Sequence, residues 1–252
     1  MALSAVLFDV DGTLADTERD GHRIAFNQAF NEFQLDWEWD VDLYGVLLQI
    51  TGGKERIRFY IENYAPSLLS KNNLDEWIAQ IHKTKTNYFL NLLKEGKIPL
   101  RPGIKRLLDE LRKNNIKIAI ATTTTYENVS TLLQCTLGDS ALEWFDVIGA
   151  GDIVSKKKPA PDIYEWVLNQ LNLPAEACIA IEDSENGLKS ATAAGIKTII
   201  TISEYTREQN FSYAALVLED LESTDHTHQI AAQSFDKLLS VQTLSDLLNC
   251  SS

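Results

Sequence analysis

The chain has 252 residues, 23 basic and 36 acidic, for a net charge of -13. That surplus of negative charge opposes the electrostatic binding on which nucleic-acid and anionic-membrane recognition depend, so neither partner is expected. The length exceeds one compact domain and suits a domain carrying an insertion. Cys135, Cys178 and Cys250 lack metal-ligand spacing; disulfides are not expected and a reducing compartment is favoured. The first apolar run begins within a few residues of the start, leaving no room for a leader, and no apolar stretch approaches the ~18 residues of a membrane span. A cytoplasmic monomer is expected, or a stromal one if the chain is a mature plastid form.

The first element is the apolar run Val6-Leu7-Phe8-Asp9-Val10-Asp11, followed by Gly12 and Thr13. It reads as a buried strand that delivers Asp9 and Asp11 to its carboxyl end, where open α/β sheets place their ligands. From 17 to about 94 the pattern is helical. His22, Ala25, Phe26, Ala29, Phe30 and Phe33 recur at helical spacing, their aromatics being read as core. A second helix starts near Gly53-Lys54, and others are predicted over 74–81 and 84–93.

From Pro102 helices alternate with short strands: helix 104–113, strand 116–121, helix 127–133, strand 147–149, helix 161–171, strand 178–181, helix 186–194 closed by Gly195, and strand 198–202. Alternation of this kind predicts an α/β fold, a doubly wound parallel sheet with right-handed crossovers. The predicted division is a core of 1–16 with 96–252 and an inserted α-helical cap of 17–95, hinged near 14–17 and near Gly96, Pro99 and Pro102. Beyond about 203 a strand is predicted at 216–218 and a closing helix near 244–248, with the stretch between them, including 224–228, as loop.

The pairing of Asp9 with Asp11 suits phosphoryl transfer. One carboxylate can attack phosphorus while the other protonates the leaving oxygen and later activates water. The strand 116–121 runs into Thr122-Thr123-Thr124-Thr125. A hydroxyl there can donate to a phosphoryl oxygen and the following N–H groups can cradle an anion, although four threonines also suit a plain β-branched strand exit. Thr122 is assigned to catalysis, and Thr123, Thr124 and Asn128 to substrate binding. Glu182 and Asp183 end another strand, and such oxygen donors suit Mg²⁺.

In the insert, Gly52-Gly53 permits close backbone approach and Lys54 offers a point charge to a substrate, or else the three simply start a helix. Glu18 and His22 lie four apart on one helix face and can both reach a ligand, although His22 can equally be a satisfied core histidine.

These motifs together resemble the haloacid dehalogenase superfamily. The run ending in Asp9-Val10-Asp11-Gly12-Thr13 matches its first motif, Thr122 its second, Lys158 within Lys158-Pro159-Ala160-Pro161-Asp162 its third, and Glu182-Asp183 its fourth. The resemblance implies that Lys158 neutralises Asp9 and the transferring phosphoryl group, that Asp9, Asp11, Glu182 and Asp183 form the Mg²⁺ site, and that the acid at Asp11 marks phosphatases and mutases rather than dehalogenases. Asp16-Thr17-Glu18-Arg19-Asp20-Gly21-His22-Arg23, Thr51-Gly52-Gly53-Lys54-Glu55-Arg56 and the threonine run further resemble the CbbY branch of sugar-phosphate phosphatases, itself similar to β-phosphoglucomutase. That branch implies hydrolysis of a small sugar bisphosphate, xylulose-1,5-bisphosphate. A phosphosugar mutase would use the same core residues, and a non-catalytic phosphosugar-binding protein is the remaining alternative.

Overall fold

The computed structural model describes residues 2–222 and 238–250. In chain order its regular elements are β1 (Ala5–Phe8), α1 (Arg23–Glu32), α2 (Val41–Leu47), α3 (Gly53–Tyr64), α4 (Leu74–Lys94), α5 (Ile104–Lys113), β2 (Lys117–Ala121), α6 (Tyr126–Leu137), β3 (Val147–Gly149), α7 (Asp162–Leu171), β4 (Cys178–Glu182), α8 (Glu185–Ala193), β5 (Lys197–Thr201), β6 (Leu216–Leu218) and α9 (Val241–Asn249). Residue contacts divide the chain into two units. One joins the chain up to Asp16 to the chain from Pro99 onward, and the other is Thr17–Ile98.

The first unit is an α/β fold built on a six-stranded sheet of order β3-β2-β1-β4-β5-β6, with every pairing parallel. From β1 the chain moves outward to β2 and β3, then returns to β4 on the other side of β1. The reversal leaves β1 and β4 adjacent, and in open α/β sheets the crevice beyond the carboxyl ends at such a point is where ligands bind. Phe8 stands in register with Ile120 on one side and Ile181 on the other. One residue later the chain can place Asp9 between Ala121 and Glu182.

The strands form because their runs are apolar on both faces, which suits a sheet covered on both sides. All four residues of β1 are fully buried. Leu7 lies in a cluster with Ala119, Ala180, Ile163, Tyr164 and Val167, so β1, β2, β4 and α7 share one core. Ile104, Leu107, Leu108 and Leu111 make the buried stripe of α5. Ser184 and Thr125 accept hydrogen bonds from Gly187 N and Asn128 N and so start α8 and α6 immediately after β4 and β2.

In the second unit Leu35, Trp37 and Trp39 alternate inward against exposed Asp36, Glu38 and Asp40. Trp39 packs against Phe26 and Phe30, with ring centroids 4.6 and 4.8 Å away. The predicted helices over 74–81 and 84–93 are one continuous helix, α4. His82 and Lys83 interrupt the apolar pattern without breaking a helix, and the buried face runs on through Ile78, Ile81, Lys85, Phe89 and Leu93. No helix is expected from the sequence over α2, whose N-cap is Asp40. A π-helical turn, Glu18–His22, precedes α1. β4 extends one residue further than expected and takes in Glu182. The expected loop at 224–228 lies outside the described residues.

Leu7→Ala empties space at the centre of this core and is expected to lower stability by about 3 kcal/mol in urea unfolding. Leu69→Ala, at an exposed position, should change it by less than about 0.5 kcal/mol.

Candidate active site

The carboxyl ends of β1, β2 and β4 bring four of the expected residues together. Lys158 is buried and uses all three of its N–H donors, to Asp9 Oδ1 at 2.6 Å, Glu182 Oε1 at 2.5 Å and the Ala121 carbonyl at 2.8 Å. Asp183 is also buried, and one of its oxygens accepts from Ser203 Oγ at 3.1 Å. Asp9, Glu182 and Asp183 each offer an oxygen, and these oxygens lie within 4.8 Å of one another.

The electrostatics of this cluster are unbalanced, since three carboxylates face one ammonium, Lys158, with the Arg101 guanidinium acting on Asp183 from outside the cluster. Burial, with Glu182 and Asp11 adding to it, pushes Asp9 up to about 7 in spite of the opposing Lys158. Burial, then Asp9 and Glu182, raise Asp183 well above the usual carboxylate range. Burial works against the ammonium of Lys158, but Asp9 and Glu182 more than offset it and its pKa rises.

A divalent cation fits this deficit. The donors are all hard carboxylate oxygens, and Glu182 Oε2 is buried without a hydrogen-bond partner. Asp11, expected among the metal ligands, is not a member of the carboxylate cluster found among the described residues. It is half-buried, and its chain turns away through a backbone bridge to Ala15. Its charge still acts on Asp9.

Two glycines make the close packing possible. Gly12 has φ +82°, and a Cβ there would overlap the Asp183 carboxylate. A Cβ on Gly187 would overlap that of Glu182.

On the neighbouring strand tip Thr122 is buried. Its N–H donates to the Gly149 carbonyl, and its Oγ1 accepts from Thr124 N at 3.3 Å. Thr124 and Asn128, expected to bind substrate, are tied to each other, with Asn128 Nδ2 donating to Thr124 Oγ1 at 2.9 Å. Both are buried, and Thr123 beside them is half-exposed.

The Thr17–Ile98 unit contains the other expected residues. Glu18 Oε2 accepts from Tyr44 OH at 2.5 Å, and Arg56 approaches the same oxygen at 3.9 Å. Arg56 also donates to Tyr44 OH and to the carbonyls of Leu47 and Ile50, which fixes the chain leading into Gly52-Gly53-Lys54. Gly52 has φ +98°, and a Cβ on Gly53 would strike the His82 ring. Gly52 is thus required by backbone conformation and Gly53 by local packing. Lys54 is half-buried beside a groove of about 600 Å³ with Ile50, Arg58 and Phe59.

His22, the remaining expected residue of this unit, packs against α4. It is buried inside this unit, its ring 3.9 Å from that of Phe89 and its Nδ1 2.8 Å from Lys85 Nζ, because the π-helical turn rotates it into the α4 face. The core-histidine alternative is the one that the packing favours.

Several polar residues of these sites were not anticipated. Tyr164 donates to Glu182 Oε1 at 2.6 Å, and its position on the inward face of α7 could have been read from periodicity. Tyr44, Arg56 and Ser203 carry no motif. Neither does Arg101, which donates to the carbonyls of Gly12, Thr201, Ile202 and Glu219.

The chain is similar to known proteins over most of its length. The model of the haloacid dehalogenase-like hydrolase family matches residues 3–195. CbbY of Rhodobacter capsulatus is 46% identical over 221 residues, covering 88% of this chain and 95% of its own. A crystal structure of a CbbY mutant from Rhodobacter sphaeroides, in complex with xylulose-(1,5)bisphosphate, is 45% identical with a TM-score of 0.80, over 86% of this chain and 94% of that one. A β-phosphoglucomutase from Clostridium difficile superposes with a TM-score of 0.73 at 25% identity, over 99% of this chain and 98% of its own. With a family model spanning most of its length and its acids and lysine gathered on adjoining strand tips, the chain belongs to the haloacid dehalogenase-like hydrolase family.

Proposed function

We propose that the protein is a phosphatase that hydrolyses a sugar bisphosphate, xylulose-1,5-bisphosphate, through an aspartyl-phosphate on Asp9, with Mg²⁺ as cofactor. The observation that carries this reading is the buried Asp9 carboxylate at the tip of a central strand, held 2.6 Å from Lys158 Nζ among further acids. Support for the substrate comes from the ligand in the structure of the Rhodobacter sphaeroides relative.

Asp9 attacks phosphorus, and the bond to the sugar oxygen breaks as Asp11 gives that oxygen its proton. Asp11, now ionised, takes a proton from water, which attacks the phosphorus of the aspartyl-phosphate and frees both phosphate and Asp9. Its place outside the carboxylate cluster suits this alternation between acid and base. Lys158 orients Asp9 and offsets charge on the transferring group, and Thr122 donates to a phosphoryl oxygen. Asp9, Glu182 and Asp183 would hold Mg²⁺, whose contribution when bound is compensation of the negative charge gathered there.

These core groups serve any phosphate monoester, so selection among sugars belongs to the inserted unit, with Lys54 serving the distal phosphate and Glu18 the hydroxyls. The likeness to β-phosphoglucomutase favours a mutase as the second reading. Accumulation of an isomerised monophosphate in place of inorganic phosphate would establish it.

Four outcomes are expected. Phosphate release across a panel of sugar mono- and bisphosphates should be highest for xylulose-1,5-bisphosphate; no release from any member would overturn the reading. Asp9→Asn should fold yet lose turnover by roughly a thousandfold or more. EDTA should abolish activity, Mg²⁺ should restore it, and Asp183→Ala should sharply raise the Mg²⁺ requirement; full activity in chelator would refute the metal site.

The fourth outcome concerns pH. A carboxyl whose pKa is raised by folding holds its proton more tightly folded than unfolded, so the stability it contributes is present below about pH 4. That contribution is lost as pH rises toward about 7. Without metal, the Tm of the wild type should fall between about pH 4 and 7 by more than that of Asp9→Asn; equal slopes would mean that Asp9 is not perturbed.

A further inference from the structure

We propose that Arg101 is a positioning residue for phosphoryl transfer, setting Asp11 and Asp183 through the backbone around them; the proposal rests on the phosphatase reading above. Arg101 lies where the chain re-enters the sheet unit, between Leu100, bridged to Ala15, and Pro102. Its own N–H donates to the Leu14 carbonyl at 2.8 Å.

The guanidinium is buried, and its two Nη groups donate to backbone carbonyls. Nη1 donates to the carbonyls of Gly12 and of Thr201, the latter at 3.0 Å. Nη2 donates to those of Ile202 and Glu219 at 2.7 and 2.8 Å. Nε lies 3.5 Å from Asp16. Its Nη donors are directed at backbone carbonyls, so the side chain acts on the reaction through the segments it holds. A rigid five-donor fork can set these segments relative to one another, as the three donors of a mobile ammonium cannot.

Two of the contacts bear on the reacting groups. Gly12 follows Asp11 directly, and its Cα packs so closely on the Asp183 carboxylate that a Cβ would overlap it. Ile202 precedes Ser203, whose hydroxyl donates to Asp183 Oδ2. Arg101 therefore braces the proton-transfer acid from behind and the cluster acid from two sides. Misplacement of such groups by about 1 Å can cost on the order of a hundredfold in rate.

The test compares wild type, Arg101→Ala and Arg101→Lys by phosphate release from xylulose-1,5-bisphosphate and from p-nitrophenyl phosphate, with and without millimolar guanidinium chloride. Mg²⁺ affinity is measured separately by calorimetry. In folded Arg101→Ala, kcat should fall about ten- to a hundredfold for both substrates while KM changes by less than about threefold. Guanidinium, but not sodium chloride, should restore both kcat and Mg²⁺ affinity in that variant and leave wild type unimproved. Arg101→Lys should fold and also lose kcat, and it carries the test if the alanine variant does not fold. Wild-type kcat in either folded variant, or a loss in folded Arg101→Ala that guanidinium does not relieve, would overturn the proposal. Phosphate release by wild type separates the two claims: its absence fails the phosphatase reading, whereas release with unaffected variants fails only the role of Arg101.

Discussion

Three carboxylates and one ammonium share a nearly dry space at the carboxyl ends of β1 and β4, and the rest of the site follows from that imbalance. Burying a charge is costly unless it is paired and hydrogen-bonded. Lys158 meets part of the demand by spending each of its donors on Asp9, Glu182 or the Ala121 carbonyl. Tyr164 adds a fourth bond to the cluster, from the floor of the core. What remains uncompensated is negative, and the raised pKa of Asp9 and of Asp183 expresses it. A site short of positive charge is suited both to a divalent cation and to chemistry that moves negative charge between oxygens.

The sheet accounts for the location. Because strand order reverses at β1 and β4, two strand tips whose residues are far apart in sequence end side by side with nothing from the sheet above them. Close approach is then limited by backbone. Gly12 and Gly187 stand where any side chain would displace Asp183 or Glu182, which connects two glycines with no chemistry of their own to the placement of two acids. Arg101 and Ser203 complete the frame from behind, through carbonyls and a hydroxyl.

The strands and the core acids were legible in the sequence because their signals are local. A short apolar run followed at once by acids or hydroxyls marks both the strand and the polar residues at its tip, as at Phe8-Asp9 and Ala121-Thr122. The partners of Arg101 were not legible, because they are backbone carbonyls about ninety to a hundred and twenty residues away and carry no residue type to recognise. In the inserted unit, helical periodicity correctly marked Phe26 and Phe30 as core. It could not tell whether His22 faced a ligand or the interior, since a π-helical turn changes the angular step that the spacing assumes. The same periodicity split α4 at two polar positions that a helix tolerates. Glu18 and Lys54 sit in a framework fixed by Tyr44 and Arg56, residues that contact backbone and one another rather than completing a motif.

The central claim is that Asp9 carries the phosphoryl group covalently. Its most direct test is to mix enzyme and Mg²⁺ with a sugar bisphosphate radiolabelled in its phosphates, quench in acid within a turnover, and map the label by peptide. The account predicts label that hydroxylamine removes, confined to the peptide containing Asp9 and absent from Asp9→Asn. Rapid release of labelled inorganic phosphate with no labelled protein at any time, or label on another peptide, would contradict it.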